Sequence, residues 1–266
     1  MAVIAENLSM WDQSYAWPKQ GDEWSDAWGG VSHQWWTTLF PRLQGYVPAE
    51  RILEIAPGYG RWTHFLKDLC AEIVIVDLAE TAIAHCAERF AGDRHVSGHV
   101  NDGKTLPMAA DGSIDLVFSF DSLVHVERDV MESYLAEIAR ILTPGGVAFL
   151  HHSNLAAHDP SVYEGKNNGW RASSVSATVV EALGAEVGLS AISQEQISWG
   201  GVDYLNDCIS VITRAGSRWD RENVVVENPG FSKVEIAMAL QRSKLYPPSS
   251  PNVTFAALEL GDPAGS

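Results

Sequence analysis

Cysteine is scarce in this 266-residue chain, and the three present, Cys70, Cys86 and Cys208, are far apart and lack Cys-x-x-Cys spacing. Neither a disulfide framework nor a structural zinc site is expected, and the thiols read as core residues of a reduced compartment. Cations are also few: 18 Lys and Arg stand against 34 Asp and Glu, a net charge of −16. Nucleic acid and anionic bilayers, which need positive charge in excess, are therefore not expected as partners. No apolar run approaches the ~20 residues of a membrane span, and the N-terminus lacks a basic segment followed by an apolar core. These absences predict a cytoplasmic protein acting on a neutral or small partner, and they leave a homodimer open.

Tryptophan, by contrast, is abundant. Six of the ten lie in residues 1–49: Trp11, Trp17, Trp24, Trp28, Trp35 and Trp36. The indole offers a large apolar plane with one polar N–H, suited to core packing and to stacking on a sugar face. Residues 1–49 read as a helical extension laid over a domain that begins near residue 50.

From 50 to 155, short β-rich runs alternate with helical patterns, the signature of a parallel sheet built from βαβ units. Strands are expected at 51–55, 73–77, 95–100, 114–120 and 147–150, with helices at 61–69, 81–90 and 129–142. A polar stretch over 153–175 with Trp170 and Arg171 is too long for an ordinary connection and is a candidate lid. A helix at 176–187 and two strands at 189–197 and 208–213 follow. Two strands without an intervening helix imply an antiparallel edge strand. The expected fold is thus one α/β, Rossmann-like, doubly wound domain over 50–215, with seven mostly parallel strands. Residues 216–266 form a C-terminal extension and tail, loosely ordered after Pro247.

In such a sheet the ligand sits at the carboxyl ends of the strands, closest to the first strand-to-helix turn. Here that turn is Glu54-Ile55-Ala56-Pro57-Gly58-Tyr59-Gly60. Gly58 and Gly60 can adopt backbone angles closed to other residues and remove Cβ atoms that would collide with a ligand. Asp77 ends the second strand, where a carboxylate can accept ribose hydroxyl hydrogens, and Asp102 after the third can accept adenine amino hydrogens. Glu54 can bond local backbone donors or face a ligand's ammonium. Threonine at position 63 fills the third small position of a dinucleotide turn and speaks against NAD or FAD; no Gly-Lys-Ser/Thr follows the turn, which excludes a P-loop there.

The run Leu53 to Gly60, with Asp77 and Asp102, resembles the cofactor-binding motif of class I S-adenosylmethionine (SAM)-dependent methyltransferases. The resemblance extends through the strand ending at Phe120 and the Leu142-Thr143-Pro144-Gly145-Gly146 turn. It implies SAM as cofactor, held by Glu54, Ala56, Gly58, Gly60, Asp77, Asp102 and Phe120. The stretches 118–127, 151–155 and 170–172 are similar to bacterial O-methyltransferases of sugar and polysaccharide assembly. That narrower resemblance implies transfer to a hydroxyl of a mannoside or related oligosaccharide. Methylation of a polyketide, lipid or amine, and a non-catalytic SAM-fold binding protein, stand as alternatives.

Oxygen methylation needs a base at the strand ends. His152 is favoured for its place near the end of the fifth strand, with Asp121 next; His125, His151, Trp170 and Arg171 are expected to bind substrate. Asp121, His125, Glu127 and His151 or His152 can also converge on magnesium or manganese, so a divalent metal stays open as a second cofactor.

Overall fold

Why the middle of the chain becomes a buried parallel sheet is plain from its first strand, β1 (Ala49–Ile55), in which Ile52 to Ile55 are all buried. Both faces of such a strand must be covered, so burial is continuous rather than alternating, with Glu54 the one polar residue in the run. The computed structural model describes residues 3–166 and 169–245. It contains one eight-stranded sheet in the order β3-β2-β1-β4-β5-β7-β6-β8. The other strands are β2 (Cys70–Asp77), β3 (Val96–Val100), β4 (Ile114–Ser119), β5 (Leu142–Ser153), β6 (Leu189–Ile197), β7 (Asp207–Arg214) and β8 (Val224–Asn228).

The expected seven strands become eight because Val224–Asn228, in the C-terminal extension, pairs in parallel with β6. The antiparallel strand is also not at an edge. β7 runs antiparallel between β5 and β6. The loop 198–206, which contains a 3₁₀ turn at Trp199–Gly201, returns β6 to β7, and the long register of β5, Val147 to Ser153, accepts β7 as its neighbour.

Two apolar layers cover the sheet. One contains Leu53, Val117 and Leu150 packed beneath Leu135 and Ile138 of α6 (Arg128–Ile141) and Val180 of α7 (Ala177–Glu186). Ser176 caps α7, its hydroxyl accepting from Val179 N–H, so the predicted helix begins where a capping side chain is available. The other contains Ile52, Phe118 and Phe149 beneath Trp28, Trp35, Leu39 and Leu43 of the N-terminal extension and Phe231 of α8 (Phe231–Leu245). The extension is therefore part of the core. It consists of short pieces: α1 (Ile4–Leu8), a 3₁₀ turn over Asp22–Trp28, α2 (Val31–Gln34) and α3 (Phe40–Leu43). The helices after β1 and β2 are α4 (Thr63–Leu66) and α5 (Glu80–Arg89).

The candidate lid is anchored at both ends. Ser153 Oγ donates to Ala172 O at 2.6 Å and Ala156 N–H to Val175 O at 3.0 Å, with Leu155, Ala172 and Val175 fully buried. The predicted loose tail after Pro247 lies outside the described residues.

Candidate active site

The turn after β1 bends the chain over the carboxyl ends of β1, β2 and β4. Ala56 and Gly58 take positive φ angles of 57° and 55°. A Cβ on Gly58 would come within 2.9 Å of the Trp17 ring, which itself stacks on Tyr59 at 4.5 Å. Only a residue without a side chain leaves the gap between turn and indole open. Gly60 works differently: its Cβ would meet the Phe90 ring at 2.5 Å, so it lets α5 and its following loop pack against the turn and does not itself line the cavity.

A cavity of 160 Å³ opens at this turn, lined by Ala56, Gly58, Asp77, Phe120 and by Trp11 and Trp17 of the extension. The Asp77 carboxylate ends β2 facing it, accepting from Gly58 N–H at 3.1 Å and Ala79 N–H at 2.9 Å. Burial pushes the Asp77 carboxyl up to about 6 despite those donors. Flat aromatic walls beside a carboxylate and a Cβ-free turn fit an adenosyl group with its ribose.

Two expected cofactor contacts fall elsewhere. Glu54 is fully buried beneath the turn, accepting the Thr63 hydroxyl hydrogen at 2.5 Å, and does not line the cavity. Burial pushes its carboxyl up to about 8, against the Thr63 bond, so near neutrality it is a protonated structural group and no partner for an ammonium. Asp102 is exposed and closes its own turn, accepting from Lys104 N–H, Thr105 N–H and Thr105 Oγ1; its neighbour Gly103 lines the cavity instead.

Beside the first cavity lies a second of 930 Å³, walled by Trp11, Tyr15, Trp24, Trp28, Trp170 and Trp199. Trp11, Trp24, Asp121 and His125 line both. Arg171 also lines the second cavity, but its guanidinium is turned to Asp207, with Nη2 to Oδ2 at 2.8 Å. Asp121 has φ +66° and its Oδ2 accepts from Arg61 Nη2 at 2.9 Å. With that oxygen engaged by Arg61, Asp121 is not at the front of the role of base.

His152 does not serve as the base. It is fully buried, Nδ1 donates to Ser153 O and Nε2 accepts from Ser210 Oγ, both at 2.8 Å, and it lines neither cavity. Burial pushes its imidazole down to about 4. His151 is equally buried and touches no cavity. It accepts from Asp121 N–H at Nδ1 and donates from Nε2 to Asp207 Oδ2, both at 3.1 Å. It thus holds the Asp121 backbone in its strained turn and is not a substrate contact. With Glu127 turned to Ser174, the expected metal set does not converge, and among the described residues no group of three or more His, Cys, Asp or Glu can hold a metal.

The histidine that remains at the junction is His125. Its Nδ1 donates to Trp170 O at 3.3 Å, its ring packs on Trp11 at 5.4 Å, and Nε2 has no hydrogen-bond partner among the described residues. Burial holds its imidazole below the ordinary histidine range, hence neutral near pH 7. Sequence reasoning missed Arg61, Asp207 and the cavity-lining role of Trp11 and Trp17. For Arg61 the signal in the sequence is its position directly after the glycine turn.

The site is thus a Rossmann-like sheet with one cavity at its first strand-to-helix turn and a second beside it, the layout of a cofactor-binding domain. Residues 52–146 match the methyltransferase domain family. That segment is a class I, SAM-dependent methyltransferase domain. The chain is 28% identical to a malonyl-[acyl-carrier protein] O-methyltransferase of Pectobacterium atrosepticum over 109 residues, 40% of this chain and 41% of that one. It is 30% identical to a ubiquinone/menaquinone biosynthesis C-methyltransferase of Ectopseudomonas mendocina over 135 residues, 47% of this chain and 50% of that one. The chain thus spans half or less of the length of these curated relatives. Among solved structures, the N-methyltransferase NodS of Bradyrhizobium japonicum with S-adenosyl-L-homocysteine superposes with a TM-score of 0.54 at 17% identity, covering 79% of this chain and 96% of that one.

Proposed function

We propose that the protein methylates a hydroxyl of an uncharged, flat-faced acceptor, a mannoside or related oligosaccharide, in polysaccharide biosynthesis. The observation that carries this reading is the tryptophan-walled 930 Å³ cavity meeting the cofactor cavity at His125. Indole planes match the C–H faces of pyranose rings while their N–H groups serve the hydroxyls. The charges in the wall are largely spent internally, Arg171 on Asp207 and Asp121 on Arg61, which suits a neutral acceptor better than an ion.

SAM, when bound, supplies an electrophilic methyl group on a sulfonium that leaves as a neutral thioether. Asp77 and the Gly58 turn would hold its ribose side, and the aromatic rings would exclude water. His125 accepts the acceptor hydroxyl's proton at Nε2, while the Trp170 carbonyl fixes the ring through Nδ1. Ring orientation by a backbone carbonyl keeps the free nitrogen in its acceptor form.

Labelled methyl transfer to partly methylated mannosides and glucosides, alongside phenols, amines and carboxylic acids, each with and without EDTA, tests the reading. Transfer to glycosides unaffected by EDTA is expected. Transfer confined to the other acceptors sinks it. A carboxylate acceptor is the second reading, because Lys233 stands exposed on the cavity wall with no ion-pair partner among the described residues.

A further inference from the structure

Arg61 directly follows Gly60, and its side chain is 9% exposed. The guanidinium lies over the Trp62 ring at 4.4 Å and gives Nη2 to Asp121. Its Nη1 is buried and has no hydrogen-bond partner among the described residues, and the Trp62 Nε1 is in the same state. Both residues line the cofactor cavity.

Structural arginines of this chain are not left this way. Arg140 places Nη1 on Ala109 O and Asp111 and Nη2 on Leu106 O and Glu137. Arg42 places Nη1 on Thr38 O and Nη2 on Glu195 and Glu235. A buried cationic donor without an acceptor is among the costlier defects a core can carry, so a missing partner is implied. Three acids around Arg61 are committed, Asp121 to Nη2, Asp77 to Gly58 and Ala79 N–H, and Glu54 to Thr63. Asp22, whose Oδ1 has no hydrogen-bond partner among the described residues, stands 3.8 Å from Arg89 and forms no ion pair with Arg61. Because Nη1 belongs to a residue that lines the cofactor cavity, an anionic or strongly accepting group of a ligand there would meet it.

We infer that Arg61 Nη1, together with Trp62 Nε1, receives the carboxylate at the amino-acid end of the cofactor. This rests on the cofactor reading of the same cavity. Guanidinium geometry suits it, since the planar fork can serve Asp121 with one nitrogen and a second carboxylate with the other. Arg61 thereby ties the cofactor's tail to Asp121, a residue that both cavities share.

Calorimetry with two ligands separates this from a merely structural arginine. S-adenosylhomocysteine carries the carboxylate; 5′-methylthioadenosine lacks the whole amino-acid end. Arg61→Gln is expected to weaken S-adenosylhomocysteine by about tenfold or more, as loss of a charge-assisted bond should, while methylthioadenosine binds as before. Trp62→Phe, which keeps the ring and deletes only the N–H, should show the same selectivity with a smaller loss, and it stands in should Arg61→Gln fail to fold. Equal loss of both ligands, or no loss of either, overturns the inference. Wild-type protein that binds neither ligand overturns the cofactor reading and this assignment with it; wild-type binding of both leaves the variants to judge the assignment alone.

Discussion

Replacing Glu54 by glutamine separates a ligand-facing acid from a buried structural one. Its carboxyl is pushed from 4.5 up to about 8 by burial, against the Thr63 hydroxyl bond. Across that window the unfolded chain carries an ionised Glu54 and the folded chain a protonated one. The folded state therefore binds the extra proton, and this group's contribution falls as pH rises from about 4.5 to 8. At roughly 1.4 kcal/mol per pKa unit the penalty is about 1 kcal/mol at pH 5 and about 4 at pH 8. Glutamine has no such penalty and keeps an oxygen for Thr63; its extra amide donor adds an offset that does not depend on pH. Urea unfolding of both proteins at pH 5 and pH 8 should show the variant gaining about 3 kcal/mol on wild type over that interval. A difference that stays flat or reverses refutes the burial argument. S-adenosylhomocysteine affinity should change less than about threefold, and a larger loss would return Glu54 to the ligand.

Gly60→Ala places a Cβ 2.5 Å from the Phe90 ring at φ +84° and should cost about 2–4 kcal/mol of stability, read as a lower melting temperature. His125→Gln should lower kcat by about 100-fold or more while cofactor affinity in calorimetry is kept. Because burial lowers the His125 pKa, the acidic limb of the wild-type kcat profile should lie below the ordinary histidine range, activity falling as pH drops through it, and the variant should lose that limb. Trp24→Ala, at a 41% exposed wall position, should raise KM for a glycoside acceptor with little change in melting temperature.

The strands from β1 to β7 and the helices α5 to α7 were readable because their signals are local: an apolar run, a 3.6-residue period, a capping serine, a glycine stop. The turn at Gly58 was readable for the same reason, its backbone angles being a property of the residue itself. Val224–Asn228, expected only as part of the C-terminal extension, was missed as a strand, since its pairing with β6 is a long-range event that no local signal carries. The N-terminal tryptophans showed their density but not their division of labour, with Trp35 in the core, Trp11 and Trp24 on the cavity walls, and Trp28 serving both.

The misplaced base has a specific cause. Alternation along a strand says that His151 and His152 face opposite ways; it does not say that either way is open. β5 lies inside the sheet between β4 and β7, so each imidazole meets protein: Asp207 on one side, Ser210 on the other. A base must sit where a strand has ended and neighbouring layers have not yet closed, and His125, in the loop after β4, does so. Its signal in the sequence was position relative to the strand end rather than residue type. Arg61 follows the same logic: it lies on the cavity wall with a buried Nη1 that has no hydrogen-bond partner among the described residues, a property that only the packed chain can display.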